Sequence, residues 1–127
     1  MHTRPIKPVL LLATAAVLAA CGGAGARDVS FAADVNPILQ KHCAECHLPG
    51  GAGATATGFQ VDTYESVMQG SNYGPVVHPG SARTSSLYIL LTGKEHLTVT
   101  MPHGKAPLPD GEIETIRQWI DAGAADN

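Results

Sequence analysis

The sequence predicts a small all-α domain: about four short helices, joined by long Gly- and Pro-rich loops and wrapped around a prosthetic group. Three observations carry that prediction. Apolar residues recur at helical spacing in separate short stretches. Gly and Pro punctuate the ground between those stretches. The chain is also poor in large side chains, with one Trp, three Tyr and two Phe, while all 14 Gly lie beyond Cys21. A domain of this size and composition builds a thin core on its own.

Residues 1–20 read as an address and not as part of the fold. Arg4 and Lys7 lead into an apolar run from Val9 to Ala20. That run is too short for a membrane-spanning helix, which takes about 20 residues. A basic start, a short apolar middle and a small-residue end are the marks of an export signal. Leu18-Ala19-Ala20-Cys21 resembles the lipobox of bacterial lipoproteins. The resemblance implies a diacylglyceryl thioether at Cys21 and a lipid anchor on the periplasmic side of a bacterial membrane. Gly22 in place of an Asp leans towards the outer membrane. Residues 21–30 then form a small, polar tether, and residues 31–127 the folded domain. Loss of Arg4 and Lys7 with the leader moves the formal charge from −3 to −5. A domain that acidic has no basic face for nucleic acid.

The first helix is expected from Asp34 as N-cap, with Pro37 in its opening turn, where a missing N–H costs nothing. Val35, Ile38, Leu39 and His42 share one stripe and lead into Cys43-Ala44-Glu45-Cys46-His47. Cys-x-x-Cys-His is a signature of covalent haem attachment. Two thiols add to the two vinyl groups, and the adjacent imidazole is held against one face of the ring, where it can bind the iron. With Cys21 lipidated, no thiol is left over. Other readings compete. A redox-active pair wants a strand before it and a helix after it, but a Gly-rich stretch follows. A zinc site wants a second pair of ligands at short spacing, and His42, His78, His96 and His103 provide none. A disulfide across two residues is strained.

After the motif, Leu48 to Gly58 is read as a loop, with the Pro49 carbonyl as a candidate partner for the second nitrogen of His47. Asp62 and Glu65 have capping-box spacing for a short helix that ends at Gly70. A third helix is expected from Ser85 to Thr92, closed by Gly93. The last runs from Asp110 to Ala122, with Ile113, Ile116, Trp119 and Ile120 on one stripe and Gly123 beyond. Val35 and Leu39 should meet Ile116 and Ile120 where the first and last helices cross, with Trp119 at that crossing or near the haem.

Taken in order, these pieces resemble a class I single-haem cytochrome c domain, and most closely its planctomycete-type branch. The likeness rests on Phe31-x-x-Asp34-Val35-x-Pro37-Ile38-Leu39, the haem motif, Asp62-Thr63-Tyr64, Val77-x-Pro79-Gly80, Ser86-Leu87, Met101-Pro102, and Glu112-Ile113 through Gly123-Ala124. It implies one haem c, covalently bound at Cys43 and Cys46, with His47 and Met101 as axial iron ligands. His103 stands where the family often has a second Pro. Met68, His78, His96 and His103 are the rival sixth ligands. The implied activity is one-electron transfer between redox proteins of the cell envelope, without catalysis by the chain itself. Two alternatives are a cytochrome subunit of a larger dehydrogenase or reductase complex, and a haem-based redox or gas sensor.

Overall fold

A computed structural model describes residues 27–93 and 98–127 of the chain. The leader, Cys21 and His96 lie outside the described residues.

The domain opens on a cap. Ser30 Oγ accepts the Ala33 N–H at 3.1 Å, and the Asp34 carboxylate accepts the Ser30 N–H at 2.9 Å. Asp34 also takes two bonds of 2.6 Å from Arg27. The helix therefore starts at Ser30 and not at Asp34, which reaches back instead of capping forward. The Val35 N–H bonds to the Ser30 carbonyl, five residues earlier, so the first turn, Phe31–Val35, is π-helical. It runs directly into α1 (Asn36–His42), with Pro37 in the opening turn.

Cys43 is the joint between α1 and α2 (Ala44–His47). Its own N–H still bonds to Leu39, while its carbonyl accepts the N–H groups of Cys46 and His47. His47 closes α2. The stretch read as a loop contains α3 (Ala52–Thr57). Gly51 leads in and Gly58, at φ +75°, ends it. α4 (Tyr64–Gln69) is capped by Thr63, whose Oγ1 accepts the Ser66 N–H at 3.1 Å, and not by Asp62. A 3-10 turn, Ala82–Thr84, precedes α5 (Ser86–Thr92), and Gly93 in the left-handed region ends it as expected. α6 (Asp110–Asp121) is the longest element described. Among the described residues there is no strand, only an isolated bridge between Ser71 and Gly74. No helix among them is long and apolar enough to cross a membrane.

The core sits where the π-helical turn and α1 meet α6. Val35, Leu39, Ile116 and Ile120 are fully buried in one cluster, as the two stripes require. Trp119 belongs to this crossing. Its ring lies 5.4 Å from Phe31 and 6.5 Å from Tyr64, and its Nε1 donates to the Ala125 carbonyl at 2.9 Å. Tyr64 donates its hydroxyl to Ala124 at 2.8 Å, so both amphipathic rings satisfy their polar ends on the same C-terminal strand of chain. Asn127 closes the knot. Its backbone carbonyl takes the Ala32 N–H, and its side-chain oxygen takes the Phe31 N–H. Buried Ser85 pins the loop before α5, accepting from His78 N–H and donating to the Ser81 carbonyl, each at 2.8 Å.

Candidate haem-binding site

The α1–α2 joint and α2 present three residues close in sequence. Cys43 and Cys46 are half-buried and free, and His47 is buried at 9% exposure. Burial and the neighbouring Cys46 push the Cys43 thiol up to about 11. A nucleophilic redox pair needs the opposite shift, since the thiolate is the reactive form. The environment therefore disfavours the redox-pair reading. Among the described residues no cluster of three or more His, Cys, Asp or Glu is placed to hold a metal ion.

The imidazole is held from three sides. Nδ1 lies 3.0 Å from the Phe59 carbonyl oxygen, which can only accept. Nδ1 therefore carries the proton, and the lone pair is left on Nε2, the atom an axial ligand needs. The partner is Phe59 and not Pro49. The chain turns back through α3 before passing the ring, so the carbonyl that reaches Nδ1 belongs to residue 59. The Phe59 ring also stands edge-on to the imidazole at 5.2 Å. The Val61 N–H bonds to the His47 carbonyl at 2.9 Å, and Gln40 donates to the Val61 carbonyl at 2.6 Å, which ties this return segment to α1.

Helix α3 forms the remaining side, and glycine lets it approach. A Cβ on Gly53 would stand 2.8 Å from His47 Cε1 and 2.9 Å from Nε2. One on Gly51 would stand 2.5 Å from the Cys46 carbonyl oxygen. No ordinary side chain fits at either position. Neither glycine was singled out from the sequence. Their only signal is position, as glycines a few residues after the motif.

Met101 is half-buried and packs against the core cluster, and its N–H bonds to Leu90 at 3.0 Å. The turn that follows it reaches the motif, where Lys105 pairs with Glu45 of α2. Of the rival ligands, His78 and His103 are exposed, whereas Met68 is half-buried against the core. His42 is not a free surface residue. Its Nε2 lies 2.6 Å from one Glu112 oxygen, and Lys41 Nζ lies 3.0 Å from the other. Lys41 and then His42 hold the Glu112 carboxyl below the usual carboxylate range. Glu112 thus clasps α1 to α6 one residue ahead of Cys43.

These residues fit a haem c. One free thiol stands at the α1–α2 joint and the other on α2, and the next side chain is an imidazole with its outer nitrogen protonated and its inner one bare. Cys43, Ala44 and Met101 pack against the apolar core cluster, and Phe59 stands beside the imidazole. Residues 43–103 match the family model described as planctomycete cytochrome C. No curated protein and no solved structure matches the chain.

Proposed function

We propose, on the premise that this is a cytochrome c domain, that the chain is a lipid-anchored one-electron carrier of the bacterial cell envelope with a single covalent haem c. The observation that carries the reading is the buried His47, fixed in one tautomer by Phe59 immediately after two free cysteines. Bound haem supplies a centre that gains and loses one electron. Cys43 and Cys46 hold the porphyrin through two thioethers. His47 would hold the iron through Nε2, with its ring fixed by the Phe59 carbonyl at Nδ1. Met101 would supply a thioether as the second iron ligand; such a ligand pair would raise the potential and leave the iron closed to substrate. The domain itself performs no catalysis. Cys21 carries the lipid, Gly22 favours the outer membrane, and the partners are other redox proteins of the periplasm.

The test is the mass and optical spectrum of the full-length protein made in a host with haem-attachment machinery. One haem and a lipid should add to the mass. The ferric spectrum should show the weak red band of a Met–iron bond, and Met101→Ala should abolish it. A colourless product with both thiols free would overturn the proposal. Rapid carbon monoxide binding by the reduced wild-type protein would overturn the closed-iron part of it.

A further inference from the structure

We infer that Gln40 is a positioning residue for the His47 imidazole, acting through the segment of chain from Phe59 to Val61 that meets the ring. This inference rests on the reading of His47 as an axial ligand and adds the side chain that sets its orientation.

The segment belongs to no helix or strand, so its peptide groups must find partners elsewhere. Those of Phe59 and Val61 all have one. The Phe59 N–H donates to Thr57 Oγ1 at 3.2 Å, and that hydroxyl donates to the Gly53 carbonyl at 2.8 Å. The Phe59 carbonyl accepts from His47 Nδ1 at 3.0 Å. The Val61 N–H donates to the His47 carbonyl at 2.9 Å. The Val61 carbonyl accepts from Gln40 Nε2 at 2.6 Å. His47 is thus gripped twice by the segment, once at its backbone and once at its ring. Thr57 braces the near end from α3, and Gln40 braces the far end from α1, 21 residues earlier in the chain.

Burial does not replace these bonds. Phe59 and Val61 are both buried, which anchors their side chains but leaves the tilt of the peptide planes open. A hydrogen bond weakens steeply as its angle opens, so the bond at Nδ1 depends on that tilt. Among the described residues, Gln40 supplies the donor for the Val61 carbonyl.

The amide of Gln40 can face only one way. A backbone carbonyl only accepts, so the nitrogen of the side chain and not its oxygen must meet Val61. The same nitrogen lies 3.2 Å from Asn36 Oδ1, one turn earlier on α1, which takes its second N–H. Asn36 therefore orients Gln40, Gln40 holds the Val61 peptide, and the segment presents the Phe59 carbonyl to the ring. A methionine fills the same space on the helix without the donor, whereas a lysine keeps a donor at similar reach.

The test is proton NMR of the reduced, haem-loaded, full-length protein, read as solvent exchange of three N–H groups: His47 Nδ1, the Val61 amide and, as an internal reference in the α6 crossing, Trp119 Nε1. Gln40→Met should speed exchange at His47 and Val61 roughly tenfold, the scale of one lost hydrogen bond, and leave Trp119 alone. Gln40→Lys should restore slow exchange. Asn36→Ala should move the same two groups in the same direction by less. A firmly held Nδ1–H makes Nε2 the better electron donor, so the midpoint potential should rise in Gln40→Met and return in Gln40→Lys. Unchanged exchange at His47 in Gln40→Met would overturn the inference while leaving the carrier reading intact. Equal acceleration at Trp119 would do the same, because it marks general loosening of the fold. If Gln40→Met takes up no haem, Asn36→Ala decides, and wild-type exchange in that variant would overturn the inference. A wild-type protein without haem would remove both readings together.

Discussion

The imidazole of His47 owes its orientation to two groups that have no side-chain signature: a backbone carbonyl at Phe59 and the missing Cβ of Gly53. That is why the candidate ligand was legible in the sequence and its support was not. Cys-x-x-Cys-His names its chemistry by residue type and spacing. A carbonyl can come from any residue, and proximity along the chain favours Pro49 over Phe59. Gly53→Ala tests the close approach. Either the ring or α3 must shift, and overpacking of this kind costs about 1–3 kcal/mol. Denaturant unfolding of the haem-loaded protein, followed by its main visible absorption, should show a lower midpoint, and an unchanged midpoint would refute the contact. At the domain's opening, the Arg27 guanidinium, and next the Ser30 N–H, lower Asp34 from its usual 3.8 to about 2. A carboxyl depressed in the folded state adds stability above its ordinary pKa and loses it as pH falls. Stability should therefore decline between about pH 4 and about pH 2, and Asp34→Asn should flatten part of that decline. The pair is exposed, so added salt should shrink the difference.

At the scale of elements, the helices with an apolar stripe were legible and those without one were not. α6 repeats Ile113, Ile116 and Ile120 around Trp119, and its bounds came out within one residue. α3 has only Ala54 buried, so it offers no periodicity to read. It forms because glycines at 51 and 58 bracket a run of Ala and Thr, and because Gly53 lets that run settle against α2. The π-helical first turn was hidden for a different reason. Its cap spacing, Ser30 to Asp34, is one residue wider than the capping box that sequence reading looks for. α6 carries the prediction at this scale. Trp119 joins the two ends of the described domain through Phe31, Tyr64 and Ala125. Trp119→Ala should cost about 3–5 kcal/mol, read as a fall in the thermal or denaturant midpoint of the haem-loaded protein. A loss under about 1 kcal/mol would mean that the crossing does not depend on this ring.

For the whole molecule, composition spoke before any motif did. Few large side chains and abundant glycine point to a core completed by something other than protein, and Cys43, Cys46 and His47 are the residues that would hold it. The protein prepared without haem should therefore lack a cooperative thermal transition by near-ultraviolet circular dichroism, and should regain one when haem is attached. A sharp transition in the haem-free form would refute this. Met101 stands out in the sequence only through family likeness, because a half-buried methionine in a loop has no periodic pattern to mark it.

The meeting of Ser30, Phe31 and Ala32 with Asn127 leaves the entry and exit of the folded part side by side. A unit with that geometry can be spliced into a surface loop of some other polypeptide through two short connectors, without pulling its own ends apart. The same haem-carrying cassette could thus serve as a ready-made electron relay inside a larger engineered host.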